Sequence, residues 1–230
     1  MLFDLRGAGR RNTVRAIYLA LAILMGAGLV FFGIGGATSG GLLDAFKGGS
    51  SSSTDNTFSK KVAALEKKVK LNPSDAASWA LLAKYRSQEA SVPGKNYDQN
   101  SATFTKEGLA VLKTSTAAWE KYLALNPAKP DDGVANFMVQ AYTALNDPDK
   151  AVAAQEIVAD AKPGQYALWA QLAQLAYIAG QTRKGDLSTK KAIQLAPKDQ
   201  KQTVKSSLDQ AKTQALQAQV QQATQTTPSG

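Results

Sequence analysis

The feature that most constrains the fold is a set of helix-like segments that each end at a proline. The segments LEKKVKLNP, WEKYLALNP, QEIVADAKP and TKKAIQLAP end at Pro73, Pro127, Pro163 and Pro197. These prolines are 54, 36 and 34 residues apart. Proline cannot continue a helix, and helix-forming Ala, Leu, Gln, Lys and Glu dominate the chain beyond residue 58. The pattern therefore predicts an all-α domain of repeated, paired helices.

A second repetition lies inside the first. The motif Trp-Ala-x-Leu-Ala occurs at Trp79 and again at Trp169. The Trp, Leu and second Ala of each motif occupy positions i, i+3 and i+4, so they share one helical face. The small residue lets a neighbouring helix approach while the Trp fills the adjacent space. Both tryptophans are predicted to be core residues.

With this period and these motifs, the chain resembles the tetratricopeptide repeat (TPR) family over residues 58–197. The last repeat carries the family pattern at Trp169, Leu172, Ala173, Gly180, Gly185, Ala192, Ile193 and Pro197. The middle repeat has Tyr142 and Ala151, and the first has Trp79, Leu82, Ala83, Trp119, Leu123 and Pro127, with Arg86 where the family has Tyr. The resemblance implies a short α-solenoid of about three helix pairs with capping helices.

The domain boundaries follow from the same pattern. Residues 58–71 are expected to cap the N-terminal face, and residues 198–222 to form a C-terminal capping helix on which Val204, Leu208, Ala211 and Ala215 face inward. Residues 223–230 are expected to be a disordered tail. The 54-residue spacing holds about twenty extra residues within 91–115: SVPGKNYDQN reads as loop, and a helix is expected from Thr103 to Leu125. This insertion serves either binding or decoration.

An uncharged, apolar run precedes the repeats. Residues 16–37 are long enough to form a transmembrane helix, since 21 residues span about 31 Å. Four arginines precede the run within residues 1–15, which places that basic segment in the cytoplasm and the repeats outside. Residues 38–57 then form a Gly/Ser-rich linker. The expected location is the bacterial plasma membrane, with a single span; cleavage near GGATSGG is the alternative and would release a soluble, secreted module.

The composition argues against several chemistries. The chain has no Cys and no His, which removes thiolate nucleophiles, imidazole bases and Cys/His zinc sites. Asp131, Asp132, Asp147 and Asp149 lie at expected helix starts, where carboxylates cap helices. The net charge of +9 is scattered rather than concentrated beside aromatic side chains, unlike a nucleic-acid site. We therefore expect no enzyme, no cofactor, no metal and no small-molecule substrate; a carboxylate-dependent enzyme is the remote alternative.

The TPR resemblance implies a groove lined by the first helix of each pair, which holds a protein or peptide partner. Transferred by register, the lining includes Ala80 and Ala170, and its partner-binding residues are Lys84, Gln88, Asn136, Gln140, Thr143, Gln174 and Tyr177. The architecture is similar to that of single-span TPR proteins that accompany the bacterial Sec translocon and its periplasmic chaperones. A scaffold in a secretion, translocation or envelope complex is therefore expected, with self-association through the span or the tail left open.

Overall fold

The computed structural model describes residues 51–226, with side chains described from Thr57 to Gln221. This part contains eight helices and one small hairpin of two antiparallel strands, which lies between the second and third helices. The helices are α1 Ser51–Leu71, α2 Ala76–Ala90, α3 Lys106–Ala124, α4 Asp132–Ala144, α5 Pro148–Ala161, α6 Tyr166–Ile178, α7 Thr182–Leu195 and α8 Lys201–Thr226; the strands are β1 Tyr97–Asp98 and β2 Thr103–Phe104.

Helices that follow one another in the sequence pack against each other. The three most extensive contacts join α2 to α3, α4 to α5 and α6 to α7. Helix α1 packs on α2, and α8 packs on both α6 and α7. The described part of the chain is therefore an all-α, TPR-like solenoid of three pairs with a capping helix at each end. The predicted fold class is confirmed to that extent.

One continuous core runs through the pairs. Ala83, Met138, Leu172 and Leu208 come from four different helices, and each is at most 1% exposed. No pair could bury such residues alone, because each packs against its neighbours along the array. Val204 and Leu208 face inward on α8 as predicted, while Ala211 and Ala215 are half-buried.

Helix ends follow local capping chemistry. Asp131 accepts the backbone N–H of Val134 at 2.9 Å, and Asp147 accepts that of Lys150 at 3.2 Å, which confirms both aspartates as N-caps. Asn146 after α4 and Gly180 after α6 adopt positive φ, 57° and 74°, which closes these helices in the left-handed conformation. The predicted turn glycine therefore lies where the turn requires it.

Two predicted helix boundaries were wrong. Helix α1 begins at Ser51, so residues 51–57, which were assigned to the linker, are helical. No Gly or Pro interrupts that segment, and a helix propagates readily once nucleated. Helix α8 continues to Thr226, four residues beyond the predicted end, because the Gln/Ala-rich sequence contains no breaker before Pro228.

The insertion between α2 and α3 is folded rather than a plain loop, and α3 begins at Lys106 instead of Thr103. The rings of Tyr97 and Phe104 meet edge to face at 5.2 Å across the strands. Asn96 is 2% exposed; its side chain donates to the Glu89 carbonyl at 2.7 Å, and its own carbonyl accepts the Thr105 N–H at 2.9 Å. The hairpin is therefore fixed to the ends of both helices.

The predicted transmembrane segment, residues 16–37, lies outside the described residues. None of the helices within residues 51–226 is both long enough and apolar enough to cross a bilayer.

Candidate functional site

The tryptophans of the repeated motif connect the first and last pairs to the turns that precede them. Trp79 donates its indole N–H to the Pro73 carbonyl at 2.9 Å, and Trp169 donates to the Pro163 carbonyl at 3.0 Å. Both tryptophans lie six residues after the proline. Trp169 is only 8% exposed, whereas Trp79 is half-buried at the edge of the core. The predicted core role is therefore confirmed for Trp169 and partial for Trp79.

A glutamate joins successive pairs, and the sequence analysis did not identify it. Glu66, Glu120 and Glu156 each lie seven residues before a repeat proline. Glu66 pairs with Arg86 of α2, Glu120 with Lys150 of α5 at 2.7 Å, and Glu156 with Lys184 of α7 at 2.7 Å. The common offset from proline is the signal that could have revealed this role.

These glutamates also explain an irregularity in the first pair. Arg86 occupies the position where the family has Tyr, and it reaches Glu66 of the preceding helix. In the next pair Tyr142 bonds Glu120 of its own preceding helix at 3.3 Å. Arg86 and Tyr142 therefore have the same role: each links the first helix of a pair to the helix before it.

Helix α2 has one exposed face. Leu81 is 42% exposed, and Lys84 and Gln88 are half-buried at the i+3 and i+7 positions from it. The remaining faces of α2 contact α1, α3 and α4. This line is therefore the part of α2 that the neighbouring helices leave uncovered.

Helix α4 presents a matching face. Gln140 is exposed, while Asn136, Phe137 and Thr143 are half-buried. The Thr143 hydroxyl donates to the Val139 carbonyl at 2.7 Å, so its proton is used within the helix. We call these exposed and half-buried residues of the two helices the α2–α4 stripe: Leu81, Lys84, Gln88, Asn136, Phe137, Gln140 and Thr143.

The predicted groove does not continue onto α6. Gln174 and Tyr177 are 7% and 4% exposed, so their assignment to an open surface was wrong. The Tyr177 ring packs on Gly185, and its hydroxyl donates to Asp186 at 2.8 Å. Burial raises the pKa of Tyr177 to about 12. Gln219 of α8 donates to the Tyr177 carbonyl at 2.9 Å, so α8 covers this part of α6.

The composition of the stripe limits what it can do. Its polar groups are amides, one hydroxyl and one ammonium, and Leu81 and Phe137 supply apolar surface. These two residues could not be predicted from register alone, because register does not show how far neighbouring helices cover a large apolar side chain. Within residues 51–226 there is no group of three or more acidic side chains placed to hold a metal ion. The stripe is suited to hydrogen bonding and apolar contact.

Comparison with known proteins adds little to this geometry. No protein-family model matches the sequence, and no curated protein matches it. A solved structure titled "Crystal structure of MamA" aligns with 74% of this chain and 94% of its own length, at 12% identity and a TM-score of 0.43. The fold assignment rests on the helix pairing and on the repeated contacts described above.

Proposed function

We propose that this chain is a membrane-anchored, TPR-like scaffold that binds a protein or peptide partner on its α2–α4 stripe. The observation that supports the proposal is the stripe itself. It joins the exposed Leu81 and the half-buried Phe137 to the amides of Asn136 and Gln140 across two neighbouring helix pairs, and the main contacts of α8 lie on α6 and α7.

The stripe favours an extended or helical peptide segment of mixed character. Leu81 and Phe137 provide contact area for one or two apolar side chains of the partner, while the exposed amide of Gln140 can bond its backbone. The ammonium group of Lys84 favours an acidic side chain or a carbonyl oxygen of the partner at that position. Because long side chains lose conformational freedom on binding, we expect moderate affinity and a partner held by several weak contacts.

The apolar run and the arginines before it support placing the repeats outside the bacterial plasma membrane. A scaffold there would assemble a secretion, translocation or envelope complex. The small-residue sequence GGATSGG favours one second candidate, a soluble, secreted protein-binding module released by signal cleavage. The N-terminal residue of the mature protein distinguishes the two.

A crosslinking experiment tests the binding surface. A photoreactive amino acid replaces Leu81 or Phe137 in the full chain, and Leu187 serves as the matched control because it is a large apolar residue, 59% exposed, on α7. We expect partner adducts in native membranes from the first two positions only. The triple variant Leu81→Gln/Lys84→Gln/Gln140→Ala should recover about tenfold less partner. Equal recovery by this variant and by Leu187→Gln would contradict the assignment.

Single-cysteine labelling tests the topology, since the chain has no native Cys. Thr13→Cys precedes the apolar run and Ser53→Cys follows it. A membrane-impermeant maleimide added to spheroplasts should label only the second variant, and both after lysis. Labelling of the first variant in intact spheroplasts would refute the orientation.

A further inference from the structure

Helix α1 carries an outward face that is strongly basic. Its lysines Lys60, Lys61, Lys67, Lys68 and Lys70 are all exposed, and Glu66 is the one acidic residue between Phe58 and Leu71. Val62 and Val69 are buried against the array, and helical periodicity puts Lys60 and Lys67 on the side opposite to them. Glu66 forms an ion pair with Arg86 of α2. The face directed away from α2 therefore carries positive charge without a compensating carboxylate.

Elsewhere in the solenoid several lysines neutralise carboxylates of neighbouring helices, as Lys162 does with Asp132 at 2.9 Å and Lys212 with Asp186 at 2.7 Å. The other lysines there are spread over several helices, whereas those of α1 lie together within residues 60–70. On α1, Lys68 pairs with Asp75 at 3.0 Å and Lys61 lies over the Tyr85 ring. Among the residues with described side chains, Lys60, Lys67 and Lys70 are in no ion pair. Three ammonium groups thus remain for an external anion.

The same face offers apolar contact between the lysines. Leu71 is 88% exposed, and Ala64 is exposed one turn after Lys60. Clusters of four to eight Lys or Arg close to a membrane span are typical of segments that bind anionic lipid headgroups. A single-stranded nucleic acid would favour aromatic or arginine side chains between the lysines, and the stretch from Lys60 to Leu71 has neither.

The segment between the apolar run and α1 is short enough to hold this face near the bilayer. Residues 38–50 separate the apolar run from α1, and thirteen residues reach at most about 45 Å. A tether of that length keeps α1 at high effective concentration beside the membrane in which the chain is anchored. Docking through α1 would use the terminal face of the array and leave the α2–α4 stripe free.

We propose that the outward face of α1 docks on the anionic phospholipid surface of the membrane that holds the chain. The proposal rests on the proposed membrane anchor. Each lysine near such a surface strengthens binding several-fold, so the free ammonium groups orient the solenoid with α1 against the lipid and α8 away from it.

The test uses the full chain in nanodiscs of phosphatidylcholine, alone or mixed with phosphatidylglycerol. A fluorophore is attached at Ala64→Cys on the docking face or at Gln217→Cys on exposed α8, and a headgroup-linked quencher reports proximity. We expect quenching at position 64 only, only with phosphatidylglycerol, and its loss at high salt. Lys60→Gln/Lys67→Gln/Lys70→Gln should lower the ratio of docked to undocked domains by about a hundredfold. The matched triple Lys113→Gln/Lys121→Gln/Lys190→Gln removes equal charge from exposed sites elsewhere and should leave the ratio unchanged.

Other outcomes would overturn the proposal in distinct ways. Equal quenching in both lipids, or equal loss in both triple variants, would show that the tether or the total charge acts rather than this face. Absence of quenching in chains that have inserted would remove the docking while leaving the anchor intact. A chain that never inserts would refute the anchor and the docking together. Binding of a DNA duplex in phosphatidylcholine discs, lost in the α1 triple variant, would reassign the face to nucleic acid.

Discussion

Trp79 and Trp169 each connect a turn to the helix that follows it. The indole N–H of each motif tryptophan donates to a proline carbonyl, so the proline before a pair positions the first helix of that pair. The motif could be recognised in the sequence, and its position on one helical face indicated a core residue. The bond to proline could not be predicted, because it depends on how the turn folds back on the helix.

Unequal burial of the two tryptophans predicts unequal effects of truncation. Trp169→Ala should lower the free energy of unfolding by about 3–5 kcal/mol, and Trp79→Ala by less, because Trp79 is only half-buried. Urea unfolding measures both. Trp169→Phe is the control: it keeps most of the apolar area but loses the bond to Pro163, and should cost about 1 kcal/mol from that bond in addition to a smaller packing loss. Equal costs for both alanine variants would contradict the burial argument.

Asp75 predicts a dependence of stability on pH. It caps α2, and hydrogen bonds from the Ser78 side chain and backbone, with Lys68 nearby, lower its pKa from 3.8 to about 2. A lowered carboxyl pKa stabilises the fold above the unfolded pKa, and this contribution disappears as pH falls through the folded pKa. Asp75→Asn should therefore lower Tm at pH 7, and its difference from the parent should shrink as pH falls from about 4 to about 2.

Thermal unfolding across that pH range measures the effect. Asp160→Asn is the matched control, because Asp160 is an exposed carboxylate on α5 away from any helix start. A Tm difference for Asp75→Asn that stays constant from pH 7 to pH 2 would show that the carboxylate charge has no part in the cap.

At the scale of helices and strands, the sequence indicates where most helices end but not everything between them. Prolines and capping aspartates mark the pairs because they act on the local backbone. The hairpin was missed because its strands, Tyr97–Asp98 and Thr103–Phe104, are two residues each. Strands that short have no periodicity to detect. They form because Asn96 is fixed by the helices on either side.

A glycine makes the hairpin's position testable. A Cβ added at Gly108 would lie 2.0 Å from the Asn96 carbonyl oxygen, which is backbone and cannot move aside alone. Gly108→Ala should therefore displace the hairpin and cost about 1–3 kcal/mol. Gly164→Ala, where an added Cβ has no heavy atom within 4 Å, is the control and should be neutral or slightly stabilising.

Urea unfolding and protease nicking at residues 91–105 together measure this displacement. Faster nicking in Gly108→Ala alone would support close docking of the hairpin. Unchanged nicking and stability would mean that the loop can yield around the added methyl group.

The groove assignment failed at α6 for a reason that belongs to elements rather than residues. Register indicates which side chains of a first helix share one face, and on α2 and α4 the residues so predicted, Lys84 and Gln140, keep some exposure. Register does not predict how long a neighbouring helix such as α8 is. Helix α8 has 26 residues against 13 for α6, and it extends past Tyr177 with Gln219 bonded to that residue's carbonyl. The length of α8 therefore shortens the open surface to the first two pairs.

At the scale of the whole molecule, the array is defined by what happens at its ends. Interior pairs are joined to the preceding helix through the glutamates seven residues before each proline. Seven residues before the fourth proline, Pro197, the chain has Lys190 instead of a glutamate. No further helix follows α8 within the described residues. The outer side of α8 is mostly polar, as in a terminal cap that solvates the last pair. The two proposals use different parts of this array: partner binding uses the α2–α4 stripe, and lipid docking uses the basic face of α1.

The capping role of α8 leads to a prediction about truncation. A stop codon after Asp199 removes Val204 and Leu208, which are 1% and 0% exposed, and uncovers Tyr177. Burying two such side chains contributes on the order of 3–6 kcal/mol, so most of the stability of a short array should be lost. A stop after Gln221 keeps Val204, Leu208 and Gln219, which pack on α6 and α7, and should change stability by less than about 0.5 kcal/mol. Urea unfolding monitored by tryptophan fluorescence compares the parent chain with the two truncated chains.

Because neighbouring pairs stabilise one another, loss of α8 should lower the midpoint of urea unfolding and broaden the transition, since the last pair unfolds first. An unchanged midpoint after the longer truncation would mean that α6 and α7 close the array without α8.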